Sequence, residues 1–305
     1  MVKMTRIRHI LRLARLHFLV FGFLLYLLGY LLALVYGAES DMVRFLFGYL
    51  FFGLAHLSVS FSNDYFDRFA DRNSKKTIFS GGSKVLIENP ELESLSLKIA
   101  VSLLFASIIG LGLLTFAFDY SPLLLVFGSV GGLTGWFYTA PPLKFAYRGV
   151  GELATMLAVG FLIPGMGYFI ASGFLSLSFL AWVFPLSCYG LFFIITVELP
   201  DLESDKTANK VTFVVRWGIR KSKAISLVAA LLGTISLITI SLSALANGVY
   251  LTTVVLFSLV PLTMATFSFT NDKQNRRILV RQVAINMLST VILIVGVNII
   301  LLSQL

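Results

Sequence analysis

Cysteine and charge are both scarce in this 305-residue sequence, and each shortage excludes a class of protein. The one cysteine, Cys188, lies inside an apolar run, so the chain can form no internal disulfide and no thiolate metal centre. Charged residues make up 13% of the chain, hydrophobic residues 57%, and the mean hydropathy is +0.89. Soluble domains carry far more charge and fewer apolar residues. The composition therefore indicates a protein with several membrane-spanning segments.

The net charge of +9 does not indicate a nucleic-acid-binding protein, because the basic residues are spread through short loops and form no single block. Basic residues are frequent between Lys3 and Arg15, just before an apolar run at 17–36. This run is too long for the core of a cleaved signal peptide and lacks a small-residue cleavage site. We therefore expect a retained first helix.

Nine apolar runs are each about long enough to cross a bilayer as a helix. They cover residues 17–36, 45–62, 99–118, 121–138, 151–172, 177–197, 224–246, 250–269 and 282–303. The sequence thus predicts an all-α protein with nine transmembrane helices in the cell membrane.

The distribution of basic residues predicts the orientation of these helices. With nine spans and a cytoplasmic N-terminus, the loops at 62–98, 138–150, 198–223 and 270–281 are cytoplasmic. All 24 lysines and arginines except Arg44 then lie on the cytoplasmic side, as the positive-inside rule requires. We therefore predict a cytoplasmic N-terminus.

A polar stretch follows the second apolar run. Asn63, Asp67 and Asp71 recur every four residues, and Asp64 lies three before Asp67, so all four side chains share one face if the helix continues. Clustered carboxylates raise one another's pKa unless a cation lies between them. Oxygen ligands without cysteine or histidine favour a hard ion, so the stretch predicts a Mg²⁺ site that also binds phosphate.

A second acidic stretch follows the sixth apolar run. Glu198, Asp201 and Asp205 have the same i, i+3, i+7 spacing as the first three aspartates. Two such clusters at the cytoplasmic ends of two helices can hold metal ions on either side of one polyanion, as in two-metal phosphoryl chemistry. Solvated loop ends are the alternative for either cluster alone, and the matched pair favours the metal site.

The cytoplasmic loops add groups that can bind an anion. Gly81 and Gly82 can let backbone N–H groups approach an anion beside Lys84, although a simple glycine turn would have the same sequence. In the loop at 138–150, two prolines hold basic and aromatic side chains near the membrane surface, where they can donate to phosphate. The predicted anion-binding residues are Arg72, Lys84, Tyr138, Lys144 and Lys210.

Other interpretations of these residues stay open. Tyr147 and Arg148 also suit an anchor at the membrane interface, and Lys210 also fits the positive-inside bias. His56 lies seven residues before Asn63 and so on the same helical face. It lines a cavity in one interpretation and forms a hydrogen bond between packed helices in the other.

Three motifs together resemble a known family. They are Asn63-Asp64-x-x-Asp67-x-x-x-Asp71 after the second run, Asp201-x-x-x-Asp205 after the sixth, and the loop from Tyr138 to Lys144 after the fourth. On them the chain resembles the UbiA family of intramembrane prenyltransferases, over essentially its whole length. Many members have Tyr-x-x-x-Lys in this loop, whereas here Lys144 lies six residues after Tyr138.

The resemblance implies one domain over residues 1–305, with nine helices around a central cavity. Helices 1–4 and 5–8 would form two similar halves, with helix 9 added. It also implies that Mg²⁺ ions hold a prenyl diphosphate, such as geranylgeranyl diphosphate, between the two acidic motifs at the cytoplasmic face. The expected metal ligands are Asn63, Asp64, Asp67, Asp71, Asp201 and Asp205, and the five aspartates are the expected catalytic residues.

The acceptor of the prenyl group is less closely defined by these motifs. Residues 79–83, 138–149 and 201–205 resemble the menaquinone branch of the family, which prenylates 1,4-dihydroxy-2-naphthoate, so we expect a lipophilic aromatic acceptor. Residues 141–144 are also similar to chlorophyll synthases, and an enzyme acting on geranylgeranylglyceryl phosphate stays open. Glu198 either joins the metal site or orients the acceptor.

A membrane carrier for isoprenoid phosphates is the alternative from another functional class. Carriers usually place their binding site near the middle of the membrane, on broken helices. Both acidic clusters here are predicted at one face, which favours an enzyme.

Overall fold

Helices form almost all of the regular structure, because a bilayer offers the backbone no hydrogen-bond partners of its own. The computed structural model describes residues 2–72, 74, 77, 81–243, 251–271 and 273–305. Within these ranges the chain contains helices and turns and no strand, which confirms the all-α class.

Nine apolar helices follow an N-terminal helix, Val2–Ala14. They are α1 (Leu16–Val35), α2 (Met42–Phe66), α3 (Glu93–Ala117), α4 (Leu123–Trp136), α5 (Gly151–Ser172), α6 (Leu177–Glu198), α7 (Phe213–Ser241), α8 (Leu251–Thr270) and α9 (Arg276–Leu302). One π-helical turn, Ala158–Leu162, lies within α5. Residues 244–250, where the predicted seventh span ends and the eighth begins, lie outside the described residues.

Eight helices in the described part of the chain are long and apolar enough to cross a membrane, and α4 is the exception. It has 14 residues and so extends for about 21 Å, less than the roughly 30 Å of a hydrocarbon core. The apolar run predicted at 121–138 is longer than the helix, because Pro122 precedes its first turn and the chain turns after Trp136. The prediction of nine full-length spans is therefore not confirmed.

The long helices pack in a closed series of contacts. From α2 the series runs through α4, α5, α6, α7, α8, α9 and α1 and returns to α2, while α3 packs against α2 and α4. Helices α1 and α5 also pack directly against each other. A Cβ on Gly29 of α1 would overlap the carbonyl group of Pro164, and one on Gly167 of α5 would overlap the carbonyl group of Tyr26. Glycine at these two positions therefore sets the close approach of α1 and α5.

Short helical segments carry the polar residues beyond the ends of α2 and α6. Arg68–Arg72 follows α2, and the 3₁₀ turn Leu199–Asp201 and the helix Leu202–Thr207 follow α6. These segments contact each other, so the two acidic motifs are brought to the same end of the molecule.

Candidate functional site

A cavity of about 380 Å³ lies among the helices, with one apolar part and one polar part. Side chains such as Phe52, Leu111, Met166 and Phe193 line the apolar part. The charged and polar side chains that line the cavity include Arg15, Asn63, Asp64, Asp67, Asp71, Tyr138, Thr155, Glu198, Asp201, Asp205, Lys210 and Thr212. The cavity therefore has an apolar region next to a cluster of charged side chains.

Helical hydrogen bonds continue across the first acidic motif, although α2 ends at Phe66 and Asp67 forms a bend before Arg68–Arg72. The backbone N–H of Asp67 donates to the carbonyl of Asn63, and that of Asp71 donates to the carbonyl of Asp67, each at 2.8 Å. The expected common face is therefore formed, and all four side chains line the cavity. Asp64 and Asp67 are buried there, with 5% and 9% of their surface exposed.

The second motif contributes Asp201 and Asp205 to the same cavity. Asp201 closes the 3₁₀ turn after α6, and Asp205 lies one helical turn further on. Asp205 lies close enough to Asp67 and Asp71 for their negative charges to affect it. The carboxylates of the two motifs therefore interact electrostatically across the polar part of the cavity.

Lys210 provides a positive charge between the clusters. Its Nζ lies 2.7 Å from Oδ2 of Asp67, and the lysine side chain is largely buried. Burial lowers the pKa of Lys210, but the charges of Asp67 and Asp205 outweigh it and hold the pKa above its usual value. The ammonium group is therefore charged at neutral pH.

Asp71 shows how strongly the site needs a cation. Burial, followed by the charge of Asp67, raises the pKa of Asp71 from its ordinary 3.8 to about 7, although Lys210 acts in the opposite direction. Gly82 lies against this carboxylate, and a Cβ there would overlap Asp71 Oδ2. With φ +64°, Gly82 also has a backbone conformation that favours glycine.

Two loops hold the carboxylates and the amide in place. The hydroxyl of Tyr147 donates to Asp67 Oδ1, and that of Thr139 donates to Asn63 Oδ1, each at 2.7 Å. The backbone N–H of Ser83 donates to Asp64 Oδ2 at 3.2 Å. These contacts tie the loops at 81–84 and 138–150 to the first acidic motif.

The predicted anion-binding residues are divided by the structure. Tyr138 and Lys210 line the cavity, whereas Arg72, Lys84 and Lys144 are not among the described residues that line it. Lys84 Nζ donates to backbone carbonyls of Asp71 and, at 2.6 Å, Ser74. Arg72 and Lys144 are exposed. Lys84 thus fastens its loop to the acidic motif.

His56 lines the apolar part of the cavity. Its Nδ1 is buried and has no hydrogen-bond partner in the part of the chain that the structure describes, so the alternative of a hydrogen bond through this nitrogen between helices is not seen there. Gly22 of α1 makes room for the imidazole, since a Cβ at Gly22 would overlap it.

Sequence reasoning missed two residues of the cavity region. Arg15 lines the cavity, and its Nη1 lies 3.7 Å from Asp64 Oδ1. Nothing in its spacing separates it from the other basic residues before α1. Glu152, which is 1% exposed, lies beside Glu198. A lone carboxylate inside an apolar run is a recognised functional signal, and it would have identified Glu152.

The donor atoms suit a hard divalent cation, although they are not arranged as a finished metal site. The two motifs present carboxylate and amide oxygens, which Mg²⁺ prefers. Among the described residues, no three acidic, histidine or cysteine side chains lie close enough together to form a ready set of ligands. Lys210 instead pairs with Asp67 and supplies positive charge there, as a metal ion would. The residues therefore fit Mg²⁺ in composition and charge.

Solved structures with this fold support the architecture. A UbiA homologue from Archaeoglobus fulgidus, solved with GPP and Mg²⁺, superposes with a TM-score of 0.70 at 17% identity, covering 97% of this chain and 99% of that one. A structure concerning digeranylgeranylglyceryl phosphate synthase superposes with a TM-score of 0.71 at 14% identity, covering 98% and 99% of the two chains. At these identities the similarity establishes the fold.

Sequence comparisons give the family. A 1,4-dihydroxy-2-naphthoate octaprenyltransferase of Bacillus subtilis (strain 168) is 26% identical over 220 residues, which cover 72% of this chain and 68% of that protein. Residues 22–289 match the model of the UbiA prenyltransferase family, and this range runs from within α1 to the middle of α9 and includes both acidic motifs. The chain therefore belongs to the UbiA prenyltransferase family and is a membrane prenyltransferase.

Proposed function

We propose that this enzyme transfers a polyprenyl group from a prenyl diphosphate, such as geranylgeranyl diphosphate, to a lipophilic aromatic acceptor in a Mg²⁺-dependent reaction. One observation carries the proposal. Two acidic motifs, 130 or so residues apart in the chain, meet at the polar end of a cavity whose other end is apolar. An amphiphile with a charged head and a long apolar tail matches that division.

The acidic residues would hold the metal and through it the diphosphate. The proposed ligands are Asn63, Asp64, Asp67, Asp71, Asp201 and Asp205. Bound Mg²⁺ would stabilise the negative charge that develops on the leaving diphosphate. Solved structures of the Archaeoglobus fulgidus homologue contain Mg²⁺ with GPP or DMAPP, which supports this assignment.

The residues around the acidic motifs have separate tasks. Lys210 is a cationic donor at the polar end, and Tyr147 orients Asp67. Lys84 contributes by holding the loop that carries Gly82 against Asp71. Tyr138 lines the cavity and is a further donor to the substrates. Arg72 and Lys144 stay predicted diphosphate ligands, which would require these exposed side chains to reorient when substrate binds.

The apolar part of the cavity protects the reactive intermediate. An allylic group that loses diphosphate carries positive charge, and water would quench it. Aromatic rings such as those of Phe52 and Phe193 exclude water and offer their faces to a cation. His56 adds a polar atom to the wall of this part of the cavity.

For the acceptor we propose 1,4-dihydroxy-2-naphthoate. The Bacillus subtilis relative carries that substrate in its name, and an electron-rich ring can attack an allylic cation without a strong base. Geranylgeranylglyceryl phosphate is the second candidate, favoured by the fold similarity to the structure concerning digeranylgeranylglyceryl phosphate synthase. Membership in an enzyme family weighs against the carrier hypothesis.

The identity of the acceptor is tested by comparing three candidate acceptors. The purified enzyme, geranylgeranyl diphosphate and Mg²⁺ are incubated with 1,4-dihydroxy-2-naphthoate, 4-hydroxybenzoate and geranylgeranylglyceryl phosphate in parallel, and products are identified by mass spectrometry. We expect prenylated naphthoate. Preferred alkylation of the glycerol phosphate would overturn the acceptor and leave the diphosphate site intact. If none of the three acceptors is prenylated, the proposed function is contradicted.

A further inference from the structure

Two glutamates form a buried carboxyl pair beside the acidic motifs. Glu152 lies in the first turn of α5 and Glu198 ends α6, and they are 1% and 7% exposed. The two carboxyl groups lie close enough to each other to interact electrostatically.

One end of this pair is fixed by the backbone. Glu152 Oε1 accepts a hydrogen bond from the backbone N–H of Phe213, in the first turn of α7. This contact joins α5 to α7 and sets the position of Glu152. Glu198 lies beside this fixed carboxyl group.

The other end of the pair lies at the cavity without a partner. Glu198 lines the cavity, and among the residues that the structure describes neither its buried Oε2 nor the buried Oε2 of Glu152 has a hydrogen-bond partner. A buried polar atom in that state costs roughly 1–3 kcal/mol, more when charged. Such an atom in an enzyme cavity indicates a position where a substrate donor completes the hydrogen bonding.

The surroundings of Glu198 suit a hydroxyl group and not a diphosphate. Carboxylate oxygens only accept hydrogen bonds and would repel a polyanion. The basic residues Arg15 and Lys210, which line the cavity, are paired with Asp64 and Asp67. Tyr138 and Thr155, which also line the cavity, are in contact with each other beside the glutamates. The ligand group at Glu198 is therefore a hydrogen-bond donor.

We propose that Glu198, beside Glu152, forms the subsite that binds a hydroxyl group of the prenyl acceptor. The hydroxyl donates to Glu198 Oε2, which orients the acceptor beside the diphosphate end of the donor. The inference rests on the proposed function, since it requires an acceptor with a hydroxyl group, but it does not depend on which acceptor of the panel is used.

The test compares each acceptor with its O-methyl ether, which cannot donate a hydrogen bond. The full-length enzyme in lipid nanodiscs is loaded with Mg²⁺ and the unreactive geranylgeranyl thiolodiphosphate. The acceptor that the wild type alkylates is then titrated calorimetrically, and so is its ether. We expect the wild type to bind the hydroxyl form about tenfold or more tightly, as a hydrogen bond to a charged group predicts. Glu198→Ala should reduce this ratio to near one.

Two further variants make the result specific. Glu198→Gln keeps the shape and an uncharged acceptor oxygen, so its ratio should lie between those of the wild type and Glu198→Ala. Glu203→Ala removes a carboxylate from the same segment that is 83% exposed, and it should behave as the wild type. Thermal unfolding of each variant checks that the protein is folded, and Glu198→Gln serves if Glu198→Ala does not fold.

The outcomes separate this inference from the proposed function. An unchanged ratio in Glu198→Ala, or a wild type that binds both forms equally, overturns the acceptor subsite. If Glu198→Ala weakens thiolodiphosphate binding as much as it weakens acceptor binding, the acceptor subsite is also overturned. Glu198 would then belong to the metal and diphosphate end of the cavity. If the wild type binds no thiolodiphosphate with Mg²⁺, the proposed function fails, and the inference fails with it.

Discussion

Asp67 is the residue at which the two sides of the site meet. One of its carboxylate oxygens accepts from Tyr147, and the other pairs with Lys210. Both partners come from distant parts of the chain, 80 and 143 residues away. The side chain is therefore oriented before any substrate arrives, and Lys210 is held where the proposed reaction would develop negative charge on the diphosphate.

Removing that charge should disable the reaction without unfolding the protein. Asp67→Asn keeps the shape of the side chain but loses the attraction for Lys210 and for a metal ion. We expect prenyl transfer to fall by at least about a hundredfold, as for loss of an electrostatic group at a reacting centre. The rate is measured with geranylgeranyl diphosphate and Mg²⁺, with Glu203→Gln as an exposed control. Turnover of Asp67→Asn near the wild-type rate would remove Asp67 from the mechanism.

The two lysines near Tyr147 should differ in their effects. Lys144 and Lys210 each place Nζ 5.4 Å from the centroid of the Tyr147 ring, but only Lys210 is paired with Asp67 and lines the cavity. Lys210→Ala should therefore weaken prenyl diphosphate binding by about tenfold or more. Lys144→Ala should weaken it less. Equal losses in a direct binding assay would show that Lys144 reorients onto the diphosphate.

Asp71 gives the site a pH dependence whose sign follows from its pKa. Because that pKa rises from 3.8 to about 7 on folding, Asp71 favours the folded, metal-free protein at low pH, and this contribution is lost as the pH rises through about 7. Mg²⁺ binds the deprotonated carboxylate. The increase in melting temperature on adding Mg²⁺ should thus be larger at about pH 8 than at about pH 6. Asp71→Asn should remove most of that difference, and equal shifts at both pH values in the wild type would contradict the assignment.

At the scale of helices, the contact of α1 with α5 supports the cavity wall. Gly29 faces the carbonyl of Pro164, so a methyl group there must push the two backbones apart. Gly29→Ala should destabilise the protein by at least about 1–3 kcal/mol, the usual cost of overpacking. Gly112→Ala in α3 is the matched control, because a Cβ there meets nothing within 4 Å. Thermal unfolding in the same detergent measures both, and equal melting temperatures would show that α1 and α5 can separate without cost.

The helices also show where prediction from the sequence succeeds and where it stops. Apolar runs identified eight spans, because lipid requires the backbone to satisfy its own hydrogen bonds in a helix. The same criterion overestimated α4, since hydropathy does not record where a proline and a turn end a helix. The spacing of Asn63, Asp67 and Asp71 correctly predicted a common face, which is a local property. Long-range partners such as Arg15 with Asp64 depend on packing, which no spacing contains.

For the whole molecule, the distribution of charge predicts which side of the membrane carries the active site. Arg44 lies at the end of α2 opposite to the acidic motif, and it is paired with Asp41 at 3.1 Å. The other lysines and arginines belong to loops and helix ends that the positive-inside rule assigns to the cytoplasm. The active site should therefore open toward the cytoplasm, where soluble charged metabolites are found.

The chain offers a direct way to measure this orientation, because its one cysteine, Cys188, is buried. In a Cys188→Ser background, Glu203→Cys and Glu39→Cys place single thiols at exposed positions beside the second acidic motif and in the loop between α1 and α2. In right-side-out cells a membrane-impermeant maleimide should label Glu39→Cys and leave Glu203→Cys unlabelled until the membrane is opened. The reversed pattern would place the N-terminus and both acidic motifs outside. Labelling of both thiols in sealed cells would show that Leu123–Trp136 and its neighbours do not produce the odd number of crossings that a cytoplasmic active site requires.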